Sequence, residues 1–392
     1  MKTIGIIAEF NPFHNGHEYI MRAARDIYGA DHVIVVMSGD HVQRGEPAVM
    51  DKYARAKAAL YAGADLVLEL PAAFATGSAQ YFARGAVSAL INCACVDAIL
   101  FGSECGDIAG INAMASGDYV SEAGAPTGSG TGSAHSGRFT PPACRLSPND
   151  LLATEYLKAL EYFRSDITPL TIKRTGTSHN DNKPGDSYAS ASALRHMLTN
   201  SVSENLSAFM PEYACDILSG YISDKRLVTA DMYSDVLFCK LLQNRALGYA
   251  EYYDVFDDLS DKIISKLEEY SSFTAFINIL KSKDISYSHL SRALLHILLG
   301  IKKSDIGILT QDYSYCPWLR ILGLKKDSAV LSMIKRSAKR PLLSKLADSE
   351  NLLDIALLPI LSNDISASEM YGYYSNKKSG FISEYRRVIV VL

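Results

Sequence analysis

Two imidazoles stand three residues apart in His14-Asn15-Gly16-His17, with a glycine between them and the string Glu9-Phe10-Asn11-Pro12-Phe13 before them. Histidine can donate a hydrogen bond in either protonation state, and its ordinary pKa of about 6.5 lets it serve as a cation or as a neutral donor. A glycine beside such a pair lets a phosphate come close to the backbone. Backbone N–H groups and the helix dipole favour an anion at a helix start. The pair is therefore suited to charge that develops on a transferring phosphoryl group. Composition alone would place His-x-Gly-His in roughly one such chain in seventy. The plainer alternative is a helix start whose histidines only cap and pack.

The flanking pattern supplies the elements that would hold this string in place. Ile4 to Ala8, His32 to Met37, Asp65 to Leu70 and Asp97 to Phe101 are short apolar runs that read as strands. His17 to Tyr28, Asp51 to Gly63 and Gln80 to Ile91 read as the helices between them. Alternating strands and helices, with the strands apolar on both faces, imply a parallel sheet covered by helices on both sides. Ligands of such folds sit beyond the carboxyl ends of the strands, where Glu9 to His17 begins. The loop Gln43-Arg44-Gly45-Glu46 follows the second strand on the same side, so Arg44 is a candidate for holding phosphate or a nucleic-acid backbone. Its bland reading is an ion pair with Glu46.

Further along, Ser147-Pro148-Asn149-Asp150 caps a helix to about Phe163, and Thr168 to Arg174 reads as another strand. The intervening 117–137 is rich in Gly, Ser, Ala and Thr and reads as a flexible loop or an engineered linker. Helical sequence begins at Ala193 to Leu198, continues with breaks to about residue 300, and gives way to a basic stretch and an apolar end at Val388 to Leu392. At 392 residues the chain exceeds what one core usually holds. We expect two domains, 1–185 for the nucleotide chemistry and 186–392 mostly helical.

Charge is unevenly divided. The window 281–345 holds 13 Lys and Arg against 4 Asp, leaving the rest of the chain near −13 within a total of −4. A basic segment in an acidic protein suits a phosphate backbone, and Tyr287, Tyr313, Tyr315 and Trp318 are candidates for stacking on unpaired bases. The seven cysteines include no Cys-x-x-Cys pair and mostly lie in apolar segments, so they read as reduced, buried small hydrophobes, with no metal site expected. No 18-residue uncharged apolar stretch and no secretory leader are apparent, and we expect a soluble cytoplasmic protein without membrane partners.

The strings Glu9 to His17, Met37-Ser38-Gly39-Asp40-His41-Val42-Gln43-Arg44-Gly45-Glu46-Pro47-Ala48, Leu68-Glu69-Leu70-Pro71, Phe101-Gly102-Ser103-Glu104, Ser147 to Asp150 and Ile172-Lys173-Arg174 resemble the tRNA(Met) cytidine acetate ligases of bacteria, within the HxGH nucleotidyltransferase superfamily. A weaker likeness extends through Trp318-Leu319-Arg320-Ile321-Leu322-Gly323. The resemblance implies a Rossmann-like, doubly wound parallel sheet with a mostly helical C-terminal domain. It also implies a two-step reaction. ATP and acetate would give acetyl-adenylate and pyrophosphate, and the wobble cytidine of elongator tRNA(Met) would then take the acetyl group on N4, leaving AMP. Magnesium is expected to accompany the ATP.

Carried over by position, the ATP contacts fall on Ile7, Ala8, Glu9, Phe10, Asn11, Pro12, Phe13, His14, Asn15, Gly16, His17, Glu18, Tyr19 and Ile20, and on Gly102, Asn149 and Arg174. His14 and His17 would be catalytic. Arg44, Lys173, Arg174, Lys335, Arg336, Lys339 and Arg340 are candidates for tRNA contact. Two other readings of the same residues are an adenylyltransferase acting on a small phosphorylated metabolite and an RNA-binding protein with a vestigial nucleotide fold. The roughly 190 residues beyond the nucleotide-binding half favour a macromolecular substrate over the former. The intact histidines weigh against the latter. A class I aminoacyl-tRNA synthetase would need a Lys-Met-Ser-Lys-Ser loop, for which Leu343-Ser344-Lys345 is too little.

Overall fold

The computed structural model describes residues 1–116, 147–174, 189–199, 206–376 and 380–392. The Gly/Ser-rich segment 117–137, Cys144 and the expected domain boundary at 185/186 lie outside the described residues. The apolar runs become β1 (Thr3–Ala8), β2 (His32–Ser38), β5 (Leu66–Leu70), β6 (Ala98–Ser103) and β7 (Thr168–Lys173). These five pair in parallel in the order β5-β2-β1-β6-β7. A small antiparallel hairpin, β3 (His41–Val42) with β4 (Glu46–Pro47), forms around Gln43 to Gly45. The helices are α1 (Asn15–Asp26), α2 (Lys52–Tyr61), α3 (Ala72–Ala75), α4 (Ala79–Cys93), α5 (Ile108–Ala115), α6 (Pro148–Tyr162) and α7 (Ala191–Thr199), followed by a largely helical remainder.

The first helix begins at Asn15 rather than His17. The reason is local: His14 adopts an extended backbone and itself caps the helix, which moves His17 into the first turn.

Three further strands escaped the sequence reading. β8 (Leu319–Leu324) pairs antiparallel to β5, and β9 (Leu342–Leu343) and β10 (Val390–Val391) pair parallel to β8. The sheet is thus mixed and eight-stranded, and it continues past where a unit of residues 1–185 would end. Alternation within β2 divides the core between the two faces. Ile34 and Val36 join a cluster with α4, α6 and the helices from Ser234 to Ser375, whereas Val33, Val35 and Met37 pack with α1, α2, α7 and the helix Glu212–Ser223. Each such fully buried Val or Ile contributes about 1.5–3 kcal/mol.

Charges fasten the C-terminal part to this sheet. Lys52, on α2 and fully buried, reaches Glu69 of β5 at 2.8 Å, Glu384 at 2.7 Å and Asp40 at 3.8 Å, and donates to Ser368 at 2.8 Å. Arg320 of β8 pairs with Glu69 at 3.0 Å and Glu384 at 2.7 Å. Burial opposes ionising Glu384, but Lys52 and Arg320 hold its carboxyl down to about 2. The stabilisation linked to that depressed pKa is full above about 4.5, its ordinary value, and is lost as pH falls toward 2.

Two sequence expectations are corrected here. Trp318 and Tyr315 are 1% and 3% exposed and belong to the core, with Tyr315 packed on Phe74, Tyr81 and Phe163, so neither can stack on a base. Among the described cysteines, Cys93 and Cys316 are buried, Cys95, Cys105 and Cys215 are partly covered, and Cys239 is exposed. None forms a disulfide, and among the described residues no three His, Cys, Asp or Glu side chains gather as a metal site. No helix among the described residues is long and apolar enough to cross a membrane.

Replacing Lys52 by Met leaves two buried carboxylates sharing Arg320. We expect a loss of about 3–5 kcal/mol, read as a lower urea midpoint at unchanged slope.

Candidate active site

From β1 the chain builds outward to β2 and β5 on one side and returns to β6 and β7 on the other. β1 and β6 therefore flank a topological switch point, where the loops beyond the strand ends diverge and leave a crevice. A cavity of about 430 Å³ opens there. Its walls are the loop after β1, the end of β6 at Phe101 and Gly102, the end of β7 at Ile172 to Arg174, the start of α6 at Pro148 and Asn149, and the hairpin residues Gln43 and Arg44.

Within the loop, the two histidines cap α1 reciprocally. His14 Nδ1 accepts from the Gly16 N–H at 3.1 Å, and His17 Nδ1 accepts from the His14 N–H at 3.2 Å. The rings stack with centroids 3.6 Å apart. Burial, helped by the nearby Arg174 cation, pulls the His14 pKa down to about 3. Burial, His14 and Arg174 together put that of His17 well below its ordinary value. Both rings are therefore neutral near pH 7. Because each Nδ1 is occupied as an acceptor, the ring proton must sit on Nε2. Two N–H donors at the first turn of a helix thus border the cavity, an arrangement that stabilises negative charge without proton transfer.

The loop is fixed from several directions. The fully buried Arg55 of α2 donates to the carbonyls of Glu9 at 2.7 Å, Met50 at 2.9 Å, Ser38 at 3.1 Å and Gly39. Arg195 of α7 donates to the Asn11 carbonyl at 2.9 Å and pairs with Glu46 at 3.7 Å. Asn11 Oδ1 accepts from the Val49 N–H at 2.9 Å, and Asn15 bonds to the carbonyls of Phe209 and Ala208. The hairpin is seated at Gly45, whose φ is +79° and whose carbonyl accepts from Ser291 at 2.8 Å; a Cβ there would lie 2.3 Å from the Arg292 nitrogen.

Behind the opposite wall Glu104 gathers the polar groups. It accepts from the Ser147 hydroxyl at 2.6 Å and from Asn149 Nδ2, and it lies 3.8 Å from Arg174 Nε. A Cβ on Gly102 would stand 3.2 Å from Arg174 Cγ, which is why the strand end is bare at that point.

Of the residues singled out from sequence, Ile7, Ala8, Glu9, Phe10, Asn11, His14, Gly16, His17, Tyr19, Ile20, Arg44, Gly102, Asn149, Lys173 and Arg174 line the cavity. Pro12, Phe13, Asn15 and Glu18 do not. Phe13 is buried against Phe10 and His17, and Glu18 accepts from Tyr213. Lys335, Arg336, Lys339 and Arg340 are also absent from its walls, and Arg340 donates to the Tyr313 carbonyl at 2.8 Å. The sequence reading missed Arg55, Arg195 and the gathering role of Glu104. Glu104 had a signal, since it closes Phe101-Gly102-Ser103-Glu104; the two arginines lie in helical sequence that looks like an ordinary solvated face.

The description HIGH Nucleotidyl Transferase belongs to a family whose model matches residues 1–384. A tRNA(Met) cytidine acetate ligase of Clostridium perfringens is 36% identical, covering 95% of each chain, and one of Acetivibrio thermocellus is 35% identical, covering 95% of this chain and 94% of its own. This chain belongs to the tRNA(Met) cytidine acetate ligase family. The fold agrees over the full length with the crystal structure of Thermotoga maritima TmcAL bound with alpha-thio ATP, at a TM-score of 0.84 and 25% identity, with 100% of both chains covered. The apo form of the same protein matches equally, at 26% identity.

Selective ¹⁵N labelling of histidine offers a direct check on the capping pair. His14 and His17 should appear as neutral Nε2–H tautomers at pH 7, with His14 staying neutral until the pH approaches 3. An imidazolium signal for either ring in the free enzyme at pH 6 contradicts the arrangement.

Proposed function

We propose that the chain is an ATP-dependent ligase that joins acetate to ATP, giving acetyl-adenylate and pyrophosphate, and then acetylates N4 of the wobble cytidine of elongator tRNA(Met), leaving AMP. The observation that carries this reading is the stacked, neutral His14–His17 pair, whose N–H donors border a cavity at a helix start and a sheet switch point. The kinship supplies the rest: relatives alike from end to end are named for this activity, and a structural neighbour holds an ATP analogue.

In the first step an acetate oxygen bonds the α-phosphorus and the bond to the pyrophosphate oxygen breaks. His14 and His17 donate to the phosphoryl oxygens on which charge accumulates. Arg174, held by Glu104, supplies a fixed positive charge for phosphate, and Asn149 offers a donor and an acceptor beside it. Gly102 keeps the wall low enough for the nucleotide to approach. Magnesium would enter with the triphosphate. Glu9 is the one carboxylate among the described residues lining the cavity, which does not make a protein cage for the ion.

On this reading 1–185 handles nucleotide and acetate and 186–392 supplies most of the tRNA surface, while β8, β9 and β10 of the latter share the sheet of the former. Arg44 and Lys173, at the cavity wall, are placed to meet the tRNA near the reacting cytidine, while Lys335, Arg336, Lys339 and Arg340 would meet it farther away. A tRNA substrate would fit an enzyme of the cytoplasm.

Labelled acetate, ATP and total bacterial tRNA should yield label in a single tRNA species, and His14→Ala should slow that transfer about 100- to 1000-fold. Pyrophosphate exchange that ignores acetate but responds to a phosphorylated metabolite would instead favour the adenylyltransferase. Glu104→Ala frees Arg174 and Asn149, so we expect the KM for ATP to rise about 10- to 100-fold with a smaller change in kcat. Contacts from the basic segment predict tRNA affinity that weakens steeply with salt; a flat dependence would remove Lys335, Arg336, Lys339 and Arg340 from the interface.

A further inference from the structure

We infer that Glu9 accepts the proton released when the cytidine amine attacks the acetyl group, an inference that rests on the ligase reading above. The two half-reactions differ in their proton balance. In the first, an already anionic acetate oxygen forms a bond to phosphorus, pyrophosphate leaves with the electron pair of the broken bond, and no proton moves. In the second, the N4 lone pair forms the new bond to the acetyl carbon, the bond from that carbon to the AMP oxygen breaks, and AMP departs with the electrons. The nitrogen must then shed one proton. An exocyclic cytosine amine is too weak a base to attack readily unless that proton is taken up as the bond forms, which is the task of a general base.

Few groups in the cavity can receive it. Nδ1 of His14 and of His17 already accepts a backbone N–H, and each neutral ring carries its proton on Nε2, so neither presents a vacant lone pair. Arg44, Lys173 and Arg174 are donors only. The phenols of Tyr19 and Tyr156 accept weakly while they keep their own protons. Glu9 remains, as the one carboxylate among the described residues lining the cavity.

Its geometry fits the task. The Glu9 backbone carbonyl is clamped by Arg55 at 2.7 Å, and its side-chain Oε1 accepts from the Gln43 N–H at 2.8 Å, so backbone and carboxylate are each held at one point. Oε2 receives no hydrogen bond from the described residues, so one oxygen of a tethered carboxylate is left to act. Burial raises the pKa of Glu9, making it a stronger base than a solvated carboxylate. The Gln43 N–H and the guanidiniums of Arg195, Arg55 and Arg44 oppose that rise and favour the anion, while the Tyr156 phenol from α6 lies within its field. The same residue has no proton to handle in the adenylation step.

Glu9→Gln tests this, because the carboxamide oxygen can still accept from Gln43. Acetate-dependent pyrophosphate exchange into ATP reads the first half-reaction, and single-turnover transfer from preformed acetyl-adenylate to tRNA reads the second. Transfer should fall at least about 100-fold more than exchange does. Equal losses in both would reduce Glu9 to a part of the ATP loop and overturn the assignment, as would transfer within about threefold of wild type. In the wild-type enzyme, independently of any variant, transfer should rise with pH as Glu9 ionises and then level off, whereas exchange lacks that limb; identical profiles overturn the proposal. If wild type gives no acetate-dependent exchange at all, it is the ligase reading that fails first.

Discussion

Lys52 carries a positive charge in the middle of the protein, and much of the architecture exists to keep that charge accompanied. Removing an ammonium from water costs several kcal/mol, an outlay that is offset only when anions and hydrogen-bond acceptors surround it closely. Those partners come from distant parts of the chain: Asp40 after β2, Glu69 on β5, Ser368 on the helix Leu358–Ser375, and Glu384 near the C-terminus. Arg320 completes the group by sharing both glutamates. No single half of the chain can satisfy these charges. The antiparallel β8 is consequently tied to the edge of an otherwise parallel sheet, with Glu69 and Arg320 paired in register.

That constraint reaches the loop from Glu9 to His17 through α2. Lys52 and Arg55 lie less than one turn apart on the same buried helix, so fixing one fixes the other. Arg55 gathers the carbonyls of Glu9, Ser38 and Gly39, which are the chain exits from β1 and β2. The loop that presents His14 and His17 is therefore oriented before any substrate arrives. Preorganised dipoles of this sort are effective because they need not reorganise while charge develops. Keeping the histidines neutral serves the same end. A buried imidazolium would require its own counter-anion against the ring, which the neutral pair does without.

The part of this arrangement that was legible in the sequence is the part encoded by local pattern. The five parallel strands show as apolar runs, and the capping histidines show as a short string at a strand-to-helix junction. The rest is set by long-range pairing. β9 and β10 are two residues each, too short for any periodicity, and β8 is an apolar run within a region that reads as helix and basic loop. Asp40, Glu69 and Arg320 all sit in strings that carry the family resemblance, yet from sequence alone their chemistry could as well have been catalytic. The structure puts all three in the ion network and off the cavity wall, although Gln43 and Arg44 from the same string as Asp40 do line the cavity.

The basic window shows the same limit in another form. A count of charges along the chain measures total charge, whereas a nucleic acid meets only the cations left uncommitted at the surface. Within 281–345, Arg320 is spent inside the ion network, Arg292 pairs with Asp254 at 3.0 Å, Lys302 pairs with Glu251 at 3.0 Å, and Arg340 lies over the Tyr313 ring. Lys335, Arg336 and Lys339 remain exposed on a single short helix and the turn after it, and Lys281, Lys283, Lys303, Lys326 and Lys345 are exposed at scattered points of the same window. A phosphate backbone is long, and its affinity grows with the number of charges met in succession. Under the proposed function the tRNA path starts where Arg44 and Lys173 line the cavity beside the reacting centre, and the exposed cations of the window would extend it outward. A path drawn that way also places the cytidine beside the one carboxylate lining the cavity among the described residues, the group able to relieve its amine of a proton.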